Sequence, residues 1–337
     1  MKNIHPPFFI IGTGRCGTQL LRNMLQKNPQ VKVLPETHFI PILYEKFKLK
    51  PISFDQYYQV INNIYGGAGE HWLEVLLNKA DQNQQTFYQQ FKTHASQLKV
   101  KNIKNLTEAF FKFLYPNAKY FGDKTPDYGC NIKVIKKIWP QAKFILLLRD
   151  PLDTALSMKS HPGFIRLING KVTPRNISLL KQNRQLQKFS SKKVSFKAAA
   201  IFWEQLITSI VAEIKTLNNQ DLLIIKYEDL LIFPDKVLTQ INKFLKLTKT
   251  QWIHQAAKLP RPFPEKNQIN KTNKKYVNYF SPKTQQLLKN WGYPYNLQLK
   301  TRSPKKLLKE ILKYRFQLYQ KIPFYIRKKW LKKIDLY

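Results

Sequence analysis

Apolar residues are grouped along this chain in two rhythms. Short unbroken runs at 8–11, 31–34, 119–122, 143–148 and 222–225 read as strands buried on both faces. Patterns with helical spacing follow several of them, near 18–27, 131–138, 151–159 and 235–245. In the first of these, Leu20, Leu21, Met24 and Leu25 repeat until Asn28-Pro29 stops the helix. The alternation predicts an α/β fold whose parallel sheet is flanked by helices, with ligands at the carboxyl ends of the strands. The segment 45–117 lacks the alternation and is rich in Gln, Asn, Tyr and Phe. It is expected to be a mostly helical insertion or cap, with Gly66-Gly67-Ala68-Gly69 as a turn or hinge. The acid-free stretch 160–196 reads as a basic loop holding a short helix.

The first run, Phe8-Phe9-Ile10-Ile11, breaks into Gly12-Thr13-Gly14-Arg15-Cys16-Gly17-Thr18-Gln19 and then into a helix. A strand, a turn without bulky side chains and a helix N-terminus expose backbone N–H groups to an anion, and the helix dipole favours the same charge. Gly12 and Gly17 have the spacing of a nucleoside-triphosphate P-loop. Thr18, however, stands where that loop needs lysine, and Gln19 where it needs the magnesium-binding hydroxyl. Such a loop lacks charge compensation for a γ-phosphate. Its cation is Arg15.

A second candidate anion site follows the run 143–148, which ends in Arg149-Asp150-Pro151-Leu152-Asp153. Proline is the expected entry to the next helix. The planar fork of Arg149, with the hydroxyl of Ser157 two turns along, could hold a second phosphate. Arg149 and a neighbouring aspartate could equally be a structural ion pair.

At 337 residues and 43% hydrophobic, the chain can bury a full core. Its charge is extreme: 58 Lys+Arg against 20 Asp+Glu give +38. Such a field attracts polyanions, whether nucleic acid, acidic lipid or acidic acceptor, and identifies none of them. Two regions concentrate the excess. Between Thr154 and Trp203 ten Lys/Arg occur with no acid, and 301–337 holds twelve against Glu310 and Asp335. Cys16 and Cys130 make no disulfide framework, and no Cys/His spacing resembles a metal site. Cys16 is either a small filler of the anion loop or a thiol activated by it. No basic start leads into an apolar leader and no apolar run approaches 18 residues, so a cytoplasmic, unanchored chain is expected.

Taken together, the two arginine sites resemble the sulfotransferases that use 3′-phosphoadenylyl sulfate (PAPS), nearest to tyrosylprotein sulfotransferases and their bacterial relatives. Arg15-Cys16-Gly17-Thr18-Gln19-Leu20-Leu21-Arg22 is similar to that family's Arg-Ser-Gly-Thr-Thr-Leu-x-Arg element. Gly122-Asp123-Lys124-Thr125-Pro126 resembles its Lys-x-Pro element, and Lys226-Tyr227-Glu228-Asp229-Leu230-Leu231 its Tyr-Glu-Asp-Leu strand end. The stretch through Asn28-Pro29 to Pro35-Glu36-Thr37-His38 is also similar. The resemblance implies a P-loop-like sulfotransferase domain over 1–300 and PAPS as co-substrate without a metal. Gly14, Arg15, Cys16, Gly17, Thr18 and Gln19 would then hold the 5′-phosphosulfate. Arg149 and Ser157 would hold the 3′-phosphate, with Tyr227 beside the donor. Arg15 and Lys124 would stabilise the leaving phosphate and Glu36 would be the base. His38 is the rival base, with an unperturbed pKa near 6.5 that suits the task.

Cys16 and Gln19 depart from the family's Ser and Ser/Thr, removing two hydroxyl donors, although the Gln19 amide can still donate. The Arg-Lys-Gly element of cytosolic small-molecule sulfotransferases is absent, leaving Lys271, Lys274 and Lys275 as candidate substitutes. The acceptor stays open among an acidic peptide, a glycan and a lipid. In 301–337, Leu307, Leu308, Ile311, Leu312, Leu318, Tyr319 and Ile322 form an apolar stripe among lysines. This tail is expected to be helical, either docked on the domain or in peripheral contact with a membrane. The rival functions are a P-loop-like kinase or nucleotide hydrolase and a non-enzymatic polyanion or nucleic-acid binder. The first lacks its lysine, and the second gives no account of Glu36 and Lys124.

Overall fold

A computed structural model describes residues 5–78, 81–248, 250–259 and 279–293. The chain divides into a compact unit, Met1–Gln286, and a second, Leu287–Tyr337, of which residues 287–293 are described. The sheet lies in the first unit. Its strands are β1 (Phe8–Ile11), β2 (Val31–Pro35), β3 (Tyr120–Lys124), β4 (Lys143–Leu148) and β5 (Leu222–Lys226). They pair in the order β2-β3-β1-β4-β5, every neighbour parallel. The chain leaves β1 towards β2 on one side and later crosses to β4 on the other. The carboxyl end of β1 is therefore the switch point where crossovers diverge and a crevice opens.

The helices are α1 (Thr18–Leu25), α2 (Phe39–Phe47), α3 (Phe54–Ile61), α4 (Trp72–Asn78), α5 (Gln84–Ser96), α6 (Ile103–Leu114), α7 (Ile132–Ile138), α8 (Pro151–Lys159) and α9 (Pro162–Asn169), followed by α10 (Phe196–Ile214), α11 (Tyr227–Ile232), α12 (Pro234–Leu245) and α13 (Trp252–Ala256). Their starts carry local chemistry. Ser53 and Gln56 make a reciprocal capping box on α3, Asn83 and Asn102 cap α5 and α6, and Ser195 caps α10.

Alternate residues of β1 serve two layers. Phe8 and Ile10 join Val33, Ile145 and Leu147 beneath α1, α12 and α13. Phe9 points the other way, its ring 5.6 Å from Phe144 and 6.1 Å from Tyr128 and Trp139. On that side α10 packs along α8. Helices α3–α6 occupy most of the segment 45–117 and close around an aromatic core. There Phe91 lies 5.1 Å from Phe54 and 5.5 Å from Phe110.

Two differences from the sequence reading bear on the site. The third strand runs to Lys124 rather than ending at 122, because its pairing with β2 continues to Pro35↔Lys124. The long helix α10 had no counterpart in the reading: its apolar residues are broken by Lys197, Glu204 and Gln205, and it lies against the basic stretch.

Ile145 is fully buried at the centre of β4, on the face covered by α1, α12 and α13. Ile145→Ala is expected to cost about 2–5 kcal/mol, the range for emptying a core aliphatic position. Urea denaturation monitored by tryptophan fluorescence checks this, and a loss well under 1 kcal/mol would contradict the packing described.

Candidate active site

The anion loop hugs the sheet edge because it has no room for side chains. The Gly12 N–H donates to the Pro126 carbonyl at 3.1 Å. A Cβ at Gly12 would stand 2.6 Å from Cys16 Sγ and 2.8 Å from the Leu147 carbonyl oxygen. Gly14, Arg15 and Gly17 all adopt left-handed backbone, with φ of 75°, 55° and 92°. Gly17 lies against the Tyr227 ring, which a Cβ there would overlap, and Phe164 lies in the same way against Gly14. Cys16 is completely buried beneath the loop, and burial pushes its thiol up to about 11. It is a filler, not an activated thiol. Thr18 is buried, and Gln19 is exposed with its amide donating to Asn23 Oδ1 at 2.9 Å.

The arginine at the end of β4 reaches the same loop. Arg149 donates through Nη1 to the Arg15 carbonyl at 3.1 Å and stacks over Tyr227 at 5.1 Å from the ring centroid. Arg149 also pairs with Asp153 at 3.7 Å, the structural pairing the sequence had left open. Arg15 Nε donates to Ser157 Oγ at 3.0 Å. What the sequence presents as two anion sites is one continuous basic surface, seated on Tyr227 and on α8. That helix is capped by Asp150, which accepts from the Leu152 and Asp153 N–H groups.

On the other side of the loop, the β2–β3 register sets Glu36 beside Lys124. Lys124 Nζ donates to Glu36 Oε1 at 2.6 Å; the lysine side chain is 6% exposed and the glutamate 46%. His38 is buried between two carboxylates, with Nε2 3.7 Å from Glu36 Oε2 and Nδ1 3.3 Å from Asp127 Oδ1. Ser178 donates to Asp127 Oδ2 at 2.6 Å. Beneath them lies a polar shelf: Thr37 and Thr125 donate to the two oxygens of Asp123 at 2.5 and 2.6 Å, and Thr37 Oγ1 meets the Tyr128 hydroxyl at 2.7 Å. Sequence reasoning picked out none of Thr37, Asp127, Tyr128 and Ser178 as site residues. Only the run Glu36-Thr37-His38, polar residues directly after a buried strand, hinted at them.

Burial alone would raise Glu36, but the Lys124 ammonium and His38 hold it well below the usual 4.5. Burial likewise opposes the charge on His38, and Asp127 and Glu36 outweigh it, so the imidazole is raised above 6.5. Asp127 is also opposed by burial, yet His38 and Ser178 leave it below 3.8. Asp123 behaves differently: burial dominates over its two hydroxyl donors and lifts it to about 7.

Among the described residues no cluster of three or more His, Cys, Asp or Glu could hold a metal ion, and no helix is long and apolar enough to cross a membrane. Lys271, Lys274, Lys275 and the stripe from Leu307 to Ile322 lie outside the described residues.

Residues 6–251 match the model of the Sulfotransferase family. Among curated proteins, the chain is 22% identical over 234 residues to the nodulation protein NoeE of Sinorhizobium fredii, covering 69% of this chain and 48% of that one. It is 23% identical over 249 residues to protein-tyrosine sulfotransferase A of Caenorhabditis elegans, covering 71% and 50%. The chain thus spans about half the length of the curated relatives it matches. Among solved structures, a sulfotransferase domain from the curacin biosynthetic pathway aligns with TM-score 0.48 at 17% identity, over 86% of this chain and 99% of that one.

The shifted groups predict a pH window. His38, raised in the fold, stabilises fully below 6.5 and loses that contribution as pH climbs through its folded value. Glu36 and Asp127, lowered, contribute fully above their ordinary 4.5 and 3.8 and lose it as pH falls through their folded values. The stability difference between wild type and His38→Asn, a residue that tolerates the left-handed backbone here, is expected to be largest between these ordinary values, 4.5 and 6.5. Urea denaturation across that range measures it. A difference that did not change with pH would mean that the imidazole is uncharged.

Proposed function

This chain belongs to the sulfotransferase family, and we propose that it moves the sulfuryl group of PAPS onto a hydroxyl acceptor. The observation that carries the reading is the Lys124–Glu36 pair, 2.6 Å apart at the strand ends next to the anion loop. One face thus offers a cation for a leaving phosphate and a carboxylate for the acceptor proton. The family matches and the resemblance of the loop support the donor assignment.

PAPS supplies an activated sulfuryl group, whose transfer leaves a phosphate behind. The N–H groups of 14–19 and Arg15 would hold the 5′ end, and Arg149 with Ser157 the 3′-phosphate, Tyr227 serving as the floor between them. Glu36 takes the acceptor hydroxyl's proton as the new O–S bond forms. Arg15 and Lys124 neutralise the charge growing on the departing oxygen. In the free chain Lys124 masks Glu36. A bound phosphosulfate competes for that ammonium, and a carboxylate released from it is the stronger base. Glu36 is favoured over His38 because the imidazole is clamped between two carboxylates that favour its protonated form and so weaken it as a base. His38 then acts by orienting Glu36. Two free, buried cysteines support a reducing, cytoplasmic setting.

Glu36→Gln is expected to lower kcat by about 10²–10⁴-fold while leaving 3′,5′-ADP affinity unchanged, as calorimetry and a radiolabel transfer assay would measure. A dead His38→Ala beside an active Glu36→Gln would move the base to His38.

Arg149→Ala should weaken 3′,5′-ADP binding by about 10- to 150-fold, the equivalent of a charge-assisted hydrogen bond of roughly 1.5–3 kcal/mol. Ser157→Ala should cost less. Preferential thermal stabilisation of the wild type by ATP with magnesium over 3′,5′-ADP would sink the whole reading in favour of a kinase.

A further inference from the structure

A buried lysine beside this site has no carboxylate in contact with its ammonium among the described residues. Lys181 is 6% exposed, and no hydrogen bond or ion pair reaches its ammonium among the described residues. Burying a cation without a partner is costly, and chains retain such groups where a ligand supplies the missing charge. Its backbone is firmly held: the Lys181 carbonyl accepts from the Tyr65 N–H at 2.8 Å, and Gln182 bridges to Ile64. The ammonium is therefore presented at a fixed place.

That place adjoins the reacting groups. Lys181 closes the short helical turn that follows Ser178, whose hydroxyl donates to Asp127; its charge opposes that of His38 and favours that of Asp127, and His161 senses Arg15, Glu36, Lys181 and Glu70 together. His161 Nδ1 and Arg166 Nε are buried without hydrogen-bond partners. Between them two glycines meet backbone to backbone. A Cβ on Gly67 would come within 3.3 Å of Gly163 Cα and 3.6 Å of Lys181 Nζ, and one on Gly163 within 3.3 Å of His161 Cε1. The acid-free run between Thr154 and Trp203 supplies both Lys181 and His161, so this segment brings to the spot a cation and an imidazole that burial and its cationic neighbours keep towards the neutral form, and no carboxylate of its own.

We propose that Lys181 and His161 form an acceptor subsite for an anionic group, a carboxylate, sulfate or phosphate, carried on the molecule whose hydroxyl is sulfated. This rests on the sulfuryl-transfer reading and narrows it: the acceptor is itself an acid. Arg15, Lys124 and Arg149 already serve the donor's phosphates, which leaves Lys181 for the other substrate.

The test measures binding by calorimetry and NMR titration on the full chain loaded with 3′,5′-ADP. Two acidic probes are set against neutral twins: 4-hydroxyphenylacetate against 4-ethylphenol, and methyl glucuronide against methyl glucoside. Wild type is expected to prefer at least one acid, and whichever pair shows it distinguishes an aromatic from a sugar source. Lys181→Gln should weaken that acid about tenfold or more, the loss of one charge-assisted contact, with the neutral twin and 3′,5′-ADP unaffected. Lys181→Arg should keep the preference. Lys181→Met should melt no lower than wild type, because it removes a buried charge that no hydrogen bond or ion pair holds.

No preference for either acid in wild type overturns the proposal. So does equal loss of acid and neutral twin in Lys181→Gln, or a fall in its 3′,5′-ADP affinity, which would assign the lysine to the donor. Failure of wild type to bind 3′,5′-ADP at all speaks instead against sulfuryl transfer. The probe titrations repeated without nucleotide still decide the anion site in that case.

Discussion

The site depends on one strand pairing. β2 and β3 run parallel with Pro35 opposite Lys124, so the residue after one strand and the last residue of the other emerge side by side. A slip of one position would turn Lys124 to the opposite face and leave Glu36 facing solvent alone. Register here is secured by burial, since every residue of β3 is buried, including Asp123 and Lys124. The Thr37–Asp123–Thr125 hydrogen bonds add a second lock across the strand ends. A polar network like this is tolerable in a core only when its members are satisfied. Here it fixes a shelf on which an ion pair can stand half in water.

A second constraint is the sign of the charge. The chain carries +38, yet four of its 20 acids, Glu36, Asp123, Asp127 and Asp153, lie within the site. Each cation that the proposed donor needs is held in place by one of these carboxylates, by a backbone carbonyl or, for Arg15, by the Ser157 hydroxyl. Lys124 is held by Glu36, Arg149 by Asp153 and the Arg15 carbonyl. Preorganised charge of this kind needs little rearrangement when an anionic ligand arrives.

Much of this was legible beforehand. Apolar runs locate the strands to within about two residues, although the edge strand β5 is buried only at Ile225 and leaves Ile224 exposed, where continuity alone had read burial on both faces. The tight turn after β1 was legible for a different reason, since glycines with positive φ have few substitutes. The convergence of distant polar residues was not. Ser178 and His38 are 140 positions apart, and a serine in a basic stretch reads as surface. Lys181 looked like one of ten cations in a solvated loop, and only the fold shows it buried. Periodicity reports which face of an element is apolar, not which polar side chain another element will cover.

Cys16 illustrates how a departure from a family pattern can be absorbed. A sulfur in an anion-binding loop is ordinarily a liability, open to alkylation and to stepwise oxidation once it loses its proton. This one is sealed under the loop, between Gly12 and the sheet, with its proton held to about 11. The loop gives up a hydroxyl and gains a snugly packed apolar plug. Its outer surface then presents no sulfur to peroxide or to thiol reagents.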